Sequence, residues 1–177
     1  LNSIYNGTTF YDSTSTECRV TVPVVNISGS DNIEKAYNFL VQKGLTAAQA
    51  SGIVGNLIQE SNVNPLSTNS IGAYGIAQWL GNRLTVLRSW TEAEGKDPST
   101  LEGQLDFLWY EASYRKDIDA VKQTSTPEEA ARVWELKFER ASTVVSQRRI
   151  DMANAVYTKY GAGSGTTIIV SSSSGCS

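Results

Sequence analysis

The stretch GNLIQES, residues 55–61, decides the fold, because it carries an apolar helical run into a loop and places Glu60 at the junction. The run spans Ala47 to Ile58, and the turn-rich string IGAYGIAQW, residues 71–79, follows soon after it. A carboxyl group where an amphipathic helix meets an open loop is desolvated on one side, which raises the pKa of a Glu. A Glu that holds a proton near neutral pH is the general acid that glycosidic-bond cleavage requires.

Capping signals around this run predict a helical domain. Thr46 with Gln49 forms one capping box, and Asp31 with Glu34 forms another at the start of an earlier helix. Hydrophobic spacing predicts further helices at about 83–93, from about 99, from 127 and at about 146–160, with loop and turn at 62–79. We therefore predict a mainly α domain at 31–161, with a small loop and β-turn region beside the end of the Glu60 helix.

The two ends of the chain differ from this centre. We predict an N-terminal extension at 1–30 and a Ser/Thr-rich C-terminal extension at 162–177. β-Branched residues follow Cys18 and precede Cys176, so the two segments are expected to pair as short β-strands. Such pairing favours a Cys18–Cys176 disulfide, with two unrelated thiols as the alternative. A disulfide would place the protein in an oxidising compartment.

Composition restricts the partners. The 177 residues fit one domain, and 40% hydrophobic residues can fill a core. The net charge of -3 offers no basic excess for nucleic acid or for an anionic membrane, so neither is predicted as a partner. No apolar run is long enough to span a bilayer, and no signal-peptide pattern follows Leu1. A chain that begins at Leu is expected to be a processed or excised piece.

The chain contains no histidine. This excludes Ser-His-Asp triads, Cys-His pairs and the usual His-bearing zinc hydrolase sites, so a peptidase or a zinc amidase is not expected. No metal and no cofactor are predicted. Carboxylates and amides are the polar catalytic groups that remain in quantity.

Several motifs follow one another over about residues 31–161. They are GN and ES within 55–61, Gly75 with Gln78, Trp79 and Arg83, the string QLDFL at 104–108, and FER at 138–140. Together these motifs resemble the phage-tail lysozyme domain family, and also goose-type lysozymes and soluble lytic transglycosylases of the lysozyme-like superfamily.

The resemblance implies a function and an acid. Members of this family cleave the β-1,4 bond between N-acetylmuramic acid and N-acetylglucosamine in peptidoglycan, and the match assigns the general acid to Glu60. It also implies that Ser61 orients Glu60 or the sugar.

The same resemblance places the turn that follows in the wall of a cleft. Gly72, Gly75 and Gln78 would form this wall, and the Gln78 amide can both donate to and accept from an acetamido group or a hydroxyl. Tyr74 and Trp79 are predicted to stack on sugar faces, with a position in the core as the equal alternative for Trp79.

No Asp or Glu lies between Glu60 and Glu92, although glycoside hydrolysis commonly uses two carboxylates. A second carboxylate must therefore come from later in the chain, and Glu111, Asp106 and Glu139 are the candidates. For Glu139 we favour a structural role as the partner of a nearby arginine.

Three functions stay open on these grounds. Water attack makes the protein a muramidase, which the resemblance favours. Attack by the C6 hydroxyl of the muramic residue makes it a lytic transglycosylase, which the single local acid favours. A domain that binds peptidoglycan without cleaving it is the non-enzymatic alternative.

The substrate lies outside the cytoplasm, so the protein is expected to be secreted, surface-bound or virion-associated, within a larger phage-tail or cell-surface polypeptide. A net charge of -3 differs from that of cationic lysozymes and predicts delivery by a carrier or a tether.

Overall fold

The computed structural model of the protein describes residues 9–10, 18–21, 31–140, 146–161 and 167–170. Contacts divide the chain into two units, Leu1–Val25 with Ala162–Ser177, and Asn26–Gly161. The described part of the second unit is helical, which confirms the mainly α prediction. Its elements are α1 (Asn32–Gln42), α2 (Ala47–Ser61), α3 (Asn82–Ala93), α4 (Leu101–Tyr114), α5 (Asp117–Val121), α6 (Pro127–Lys137), α7 (Gln147–Val156) and a π-helical turn (Tyr157–Gly161).

Helices α1, α2, α4 and α6 each begin directly after a residue whose side chain caps them. The Thr46 hydroxyl accepts from the Gln49 amide at 3.2 Å, and the Gln49 side chain accepts from the Thr46 amide at 3.0 Å. Asp31 caps α1 by accepting from the Glu34 amide at 2.8 Å, and Thr126 caps α6 in the same way. Each cap satisfies an amide that would otherwise have no partner in the first helical turn.

Helix α2 is the centre of the domain. It is buried from Ala48 to Leu57 and packs against α6 and α7. Two glycines permit this close approach: a Cβ at Gly52 would lie 2.4 Å from the Ala130 Cβ, and one at Gly55 would lie 2.5 Å from the Ala153 amide nitrogen. The packing fixes α2 along its length, so the position of Glu60 at its end is also fixed.

Between α2 and α3, the chain forms the predicted loop and β-turn region. Asn62 ends α2 in the left-handed conformation, with φ of 54°. Isolated β-bridges then join Thr68 to Tyr74 and Tyr74 to Trp79. This arrangement holds the glycine-rich turn beside the end of α2.

Two helical features differ from the sequence prediction. The short helix α5 was not predicted, since its five residues are too few for a hydrophobic period and follow Lys116 in the left-handed conformation. The final helix predicted at 146–160 ends as an α-helix at Val156 and continues as the π-helical turn to Gly161. Among the described residues, no helix is long and apolar enough to cross a membrane.

The first unit contains an antiparallel sheet of β1 (Thr9–Phe10), β2 (Cys18–Thr21) and β3 (Thr167–Val170), with β2 in the middle. Cys18 pairs with Val170 and Thr21 with Thr167. The predicted pairing of the two terminal segments is therefore confirmed. Cys176 lies outside the described residues, so the Cys18–Cys176 disulfide stays a prediction.

Candidate active site

Glu60 lies in the last turn of α2, where the buried part of the helix ends. Its side chain is 20% exposed, whereas Leu57, one turn earlier, is fully buried. The carboxyl group is thus reachable from solvent on one side and enclosed by protein on the other, as the sequence predicts.

Arg149 from α7 holds the Glu60 carboxyl group. Its Nη2 donates to Glu60 Oε1 at 2.5 Å, and its Nη1 donates to Asn56 Oδ1 at 3.0 Å. The Nε atom lies 3.3 Å from Oε1 of the buried Glu135 on α6. One guanidinium therefore connects α2, α6 and α7 and fixes the direction of the Glu60 side chain. A guanidinium also stabilises the negative charge of a carboxylate partner.

Glu139, just after α6, is the second carboxyl group of this cluster. Burial and, second to it, the neighbouring charge of Glu60 raise the pKa of Glu139 to about 8, although Arg149 and Arg83 oppose the shift. Glu139 Oε1 accepts a hydrogen bond from the Trp134 indole at 3.1 Å. A pKa raised in this way favours a proton on Glu139 at neutral pH.

Glu111 and Asp106, the other two candidates for a second carboxylate, have different partners. Glu111 accepts from Arg83 Nε at 2.6 Å and from Arg83 Nη2 at 3.0 Å. Asp106 forms an ion pair with Lys96. The electrostatic environment of Glu139 includes Glu60.

Trp79 requires a correction. Its side chain is fully buried, its ring packs edge-on against Phe107 at 5.6 Å, and its indole donates to Glu111 Oε2 at 2.9 Å. A ring enclosed in this way has no face for a sugar, so the predicted substrate role of Trp79 is wrong. The core alternative is correct, and the buried indole satisfies its polar N–H through Glu111.

Ser61 connects the end of α2 to the glycine-rich turn. Its hydroxyl lies 2.8 Å from the Ile76 carbonyl oxygen and 3.3 Å from the Leu57 carbonyl oxygen, and it donates to these acceptors. The residue thus positions the backbone next to Glu60.

Gln78 and Tyr74, two further predicted residues of the turn, are half-buried. Gln78, at φ of 52°, donates from Nε2 to the Gly75 carbonyl at 2.9 Å and to the Ser67 carbonyl at 3.2 Å. Its amide oxygen is the atom of the side chain suited to accept from a ligand. The Tyr74 ring has the Arg88 guanidinium 5.7 Å from its centroid.

Gln104 of α4 fixes the same turn. Its Oε1 accepts from the Ile76 amide at 2.9 Å, and its Nε2 donates to the carbonyls of Pro65 and Pro98. Gly75 has φ of 83°, and a Cβ there would lie 2.6 Å from Gln104 Oε1. A Cβ at Gly72, where φ is 88°, would meet no atom within 4 Å, so the positive φ and not a close contact favours glycine there.

The sequence did not identify the residues that hold Glu60. Asn56 belongs to the GN motif, which does not show what its side chain contacts, and Glu135 belongs to none of the motifs. Arg149 lies 89 positions from Glu60 in the chain. No local pattern predicts a contact across that distance.

Residues 31–160 match the family model described as phage tail lysozyme. The match includes helices α1 to α7 and, with Glu60, its neighbours Asn56, Glu135, Glu139 and Arg149.

Proposed function

Because the chain belongs to the phage tail lysozyme family, we propose that residues 31–161 are a catalytic domain that cleaves the β-1,4 bond between N-acetylmuramic acid and N-acetylglucosamine. Lysozymes are glycosidases that degrade peptidoglycan. The observation that carries the more specific proposal is the pair of carboxyl groups, Glu60 and Glu139, held beside Arg149 at the end of α2.

The carboxyl pair is suited to hold one proton near neutral pH. The pKa of Glu139 is raised to about 8 by burial and by the charge of Glu60, so one proton stays in the pair at pH 7. When two titratable groups interact strongly, each apparent pKa describes the pair and not one of its members. We assign delivery of this proton to Glu60, which lies at the solvent-accessible end of α2. Arg149 keeps Asn56 and Glu135 as partners when Glu60 turns to the substrate.

In the hydrolytic route, Glu60 gives its proton to the glycosidic oxygen as the bond from that oxygen to C1 of the muramic residue breaks. Water then attacks C1, and the carboxylate of Glu139 accepts the proton of that water. The products are two chains, one of which ends in a reducing muramic residue. We assign the role of base to Glu139 among the three candidate carboxylates, because the charge of Glu60 acts on the Glu139 carboxyl group.

A second route is favoured by one specific observation, the absence of any Asp or Glu between Glu60 and Glu92. Glu60 again protonates the leaving oxygen. Its carboxylate then accepts the proton of the C6 hydroxyl, whose oxygen attacks C1 of the same muramic residue. The product is an anhydro sugar, and a single carboxyl group performs both proton transfers.

Mass spectrometry of the products distinguishes the routes. Purified peptidoglycan digested with the wild-type protein is expected to release muropeptides with reducing ends, because Glu139 supplies the second carboxyl group. Anhydro-muropeptides would instead assign the protein to the transglycosylase route. Retention on the polymer with no soluble product would leave the binding-only function and refute the enzyme.

The pH dependence provides a test of Glu139. Its pKa of about 8 in the folded protein exceeds the ordinary value of 4.5, so its contribution to the free energy of unfolding is fully present below pH 4.5 and lost as the pH rises through 8. Activity is expected to fall over the upper part of this range as the pair loses its last proton. Glu139→Gln should lose the stability slope and should no longer show a fall in rate centred near pH 8, because the carboxyl group whose pKa is raised is gone.

These effects are measured by urea unfolding at several pH values and by rate–pH profiles. Glu128→Gln is the control, because the Glu128 side chain is 50% exposed and pairs with Arg132 on the surface of α6. It should keep both wild-type profiles. A Glu139→Gln protein with the wild-type rate profile would remove Glu139 from the proton pathway.

We also propose a setting for the reaction. The substrate implies that the protein acts at the cell wall, either secreted or as part of a phage tail or a cell-surface polypeptide. The predicted Cys18–Cys176 disulfide is consistent with an oxidising environment of this kind.

A further inference from the structure

Two adjoining cavities lie along α4. Their volumes are about 580 and 640 Å³, within the usual range for ligand sites. Three residues, Lys43, Lys96 and Asp106, line both cavities, which therefore form one continuous depression, called here the α4 groove. Neither Glu60 nor its partner Arg149 lines it, so the groove is separate from the candidate active site.

One half of the α4 groove is lined by a row of aromatic rings. Trp90 stacks on Tyr110 with ring centroids 4.7 Å apart, and Tyr110 is followed by Tyr114 at 6.3 Å. Trp109 lines the same cavity. Tyr110 is 41% exposed and Tyr114 is 79% exposed, which is unusual for side chains of this size. Exposed aromatic rings that line a cavity indicate a binding surface.

The charges of the α4 groove cancel. Its three lysines face three acidic residues; the set is Lys35, Lys43, Lys96, Glu94, Glu102 and Asp106. Lys96 is paired with Asp106 and lies 3.7 Å from Glu102, so it is not available for a free anion. A groove without net charge does not fit a polyanion. It fits a neutral polymer that has hydroxyl and amide groups at its edges and apolar faces on its rings.

We propose that the α4 groove is a second binding site for the glycan strand of peptidoglycan, an inference that rests on the proposed function. The aromatic rings would pack against the apolar faces of the sugars. Polar groups of the lining, among them the Ser113 hydroxyl, would bind hydroxyl and acetamido groups. Such a site would keep the protein on an insoluble polymer between cuts. It supplies adhesion that a protein of net charge -3 does not obtain from an anionic wall.

Tyr114→Ala tests the groove without disturbing the core, because the side chain is 79% exposed. Binding to insoluble peptidoglycan is measured by sedimentation in the Glu60→Gln background, which keeps the polymer intact. Loss of one aromatic contact of about 1.5 kcal/mol should weaken this binding by about tenfold. With Glu60 intact, the Tyr114→Ala protein should digest the insoluble polymer more slowly than the wild-type protein. It should cleave a soluble tetrasaccharide of alternating N-acetylglucosamine and N-acetylmuramic acid at the wild-type rate.

Lys43→Ala is the second variant, since Lys43 lines both cavities of the groove, and Tyr157→Ala is the matched control. Tyr157 is 39% exposed and does not line the groove, so its removal should leave binding unchanged. Wild-type binding by both groove variants would overturn the proposal. An equal loss of rate on the soluble tetrasaccharide would also overturn it, because the groove would then belong to the active site.

Salt and product analysis separate the remaining outcomes. Binding that disappears in about 1 M salt would indicate an anionic wall polymer and overturn the proposal, because salt screens charges strongly at that concentration. Binding that depends on Tyr114, in a protein that releases no product from any substrate, would support the groove and refute the proposed catalysis.

Discussion

Glu60→Gln is expected to lower the rate of peptidoglycan cleavage by about a thousandfold, within the range of about 10²–10⁴ that a positioned acid contributes. The amide has the shape of the carboxyl group but cannot give a proton to the glycosidic oxygen. Its oxygen can still accept from Arg149 Nη2, which lies 2.5 Å from Glu60 Oε1. The fold should therefore be kept, and the loss should appear in the release of muropeptides and not in the melting temperature.

Glu92→Gln is the matched control. Glu92 is an exposed residue of α3, and this substitution also replaces one carboxyl group by an amide. It should release products at the wild-type rate. If Glu60→Gln retained half or more of the wild-type rate, Glu60 would not be the acid, and the protonated Glu139 would become the next residue to test. The assignment is supported when Glu60→Gln loses activity at an unchanged melting temperature.

The starts of the helices could be predicted from the sequence because a cap is a local structure. Thr46 and Gln49 bind each other's backbone amides across three residues, and Asp31 and Thr126 act over the same distance. The turn after α2 was also predictable, since Gly75 adopts a positive φ that glycine favours. Features determined within one turn of chain are therefore the ones that the sequence reveals.

The partners within the site could not be predicted in this way. Arg149 reaches Glu60 because α2 and α7 pack together, and that packing depends on the whole domain. Trp79 illustrates the same point, because an aromatic residue beside a polar turn has the same sequence pattern whether it faces solvent or the core. Its burial is determined by Phe107 and Glu111 of α4, which are distant in sequence.

Gly55→Ala is expected to destabilise the protein by a net amount of about 2 kcal/mol, although alanine favours helices. The new Cβ would lie 2.5 Å from the Ala153 nitrogen, 2.7 Å from the Ala153 Cα and 2.8 Å from the Arg149 carbonyl oxygen. All three are backbone atoms, which cannot rotate away as a side chain can, so α7 must move. Such overpacking costs about 3 kcal/mol, of which the gain in helix propensity offsets about 1 kcal/mol.

Gly55→Ala should also slow cleavage, because the helix that moves carries Arg149. A misplacement of about 1 Å near an active site can cost about a hundredfold in rate. Urea unfolding and muropeptide release measure the two effects. Ser51→Ala is the control on the same helix: Ser51 is fully buried, and its hydroxyl forms no hydrogen bond within the described part of the chain, so its removal should cost little. Wild-type stability and rate for Gly55→Ala would show that contact between α2 and α7 does not position Arg149. A loss of both stability and rate would support the view that close packing at Gly55 holds Arg149 in place beside Glu60.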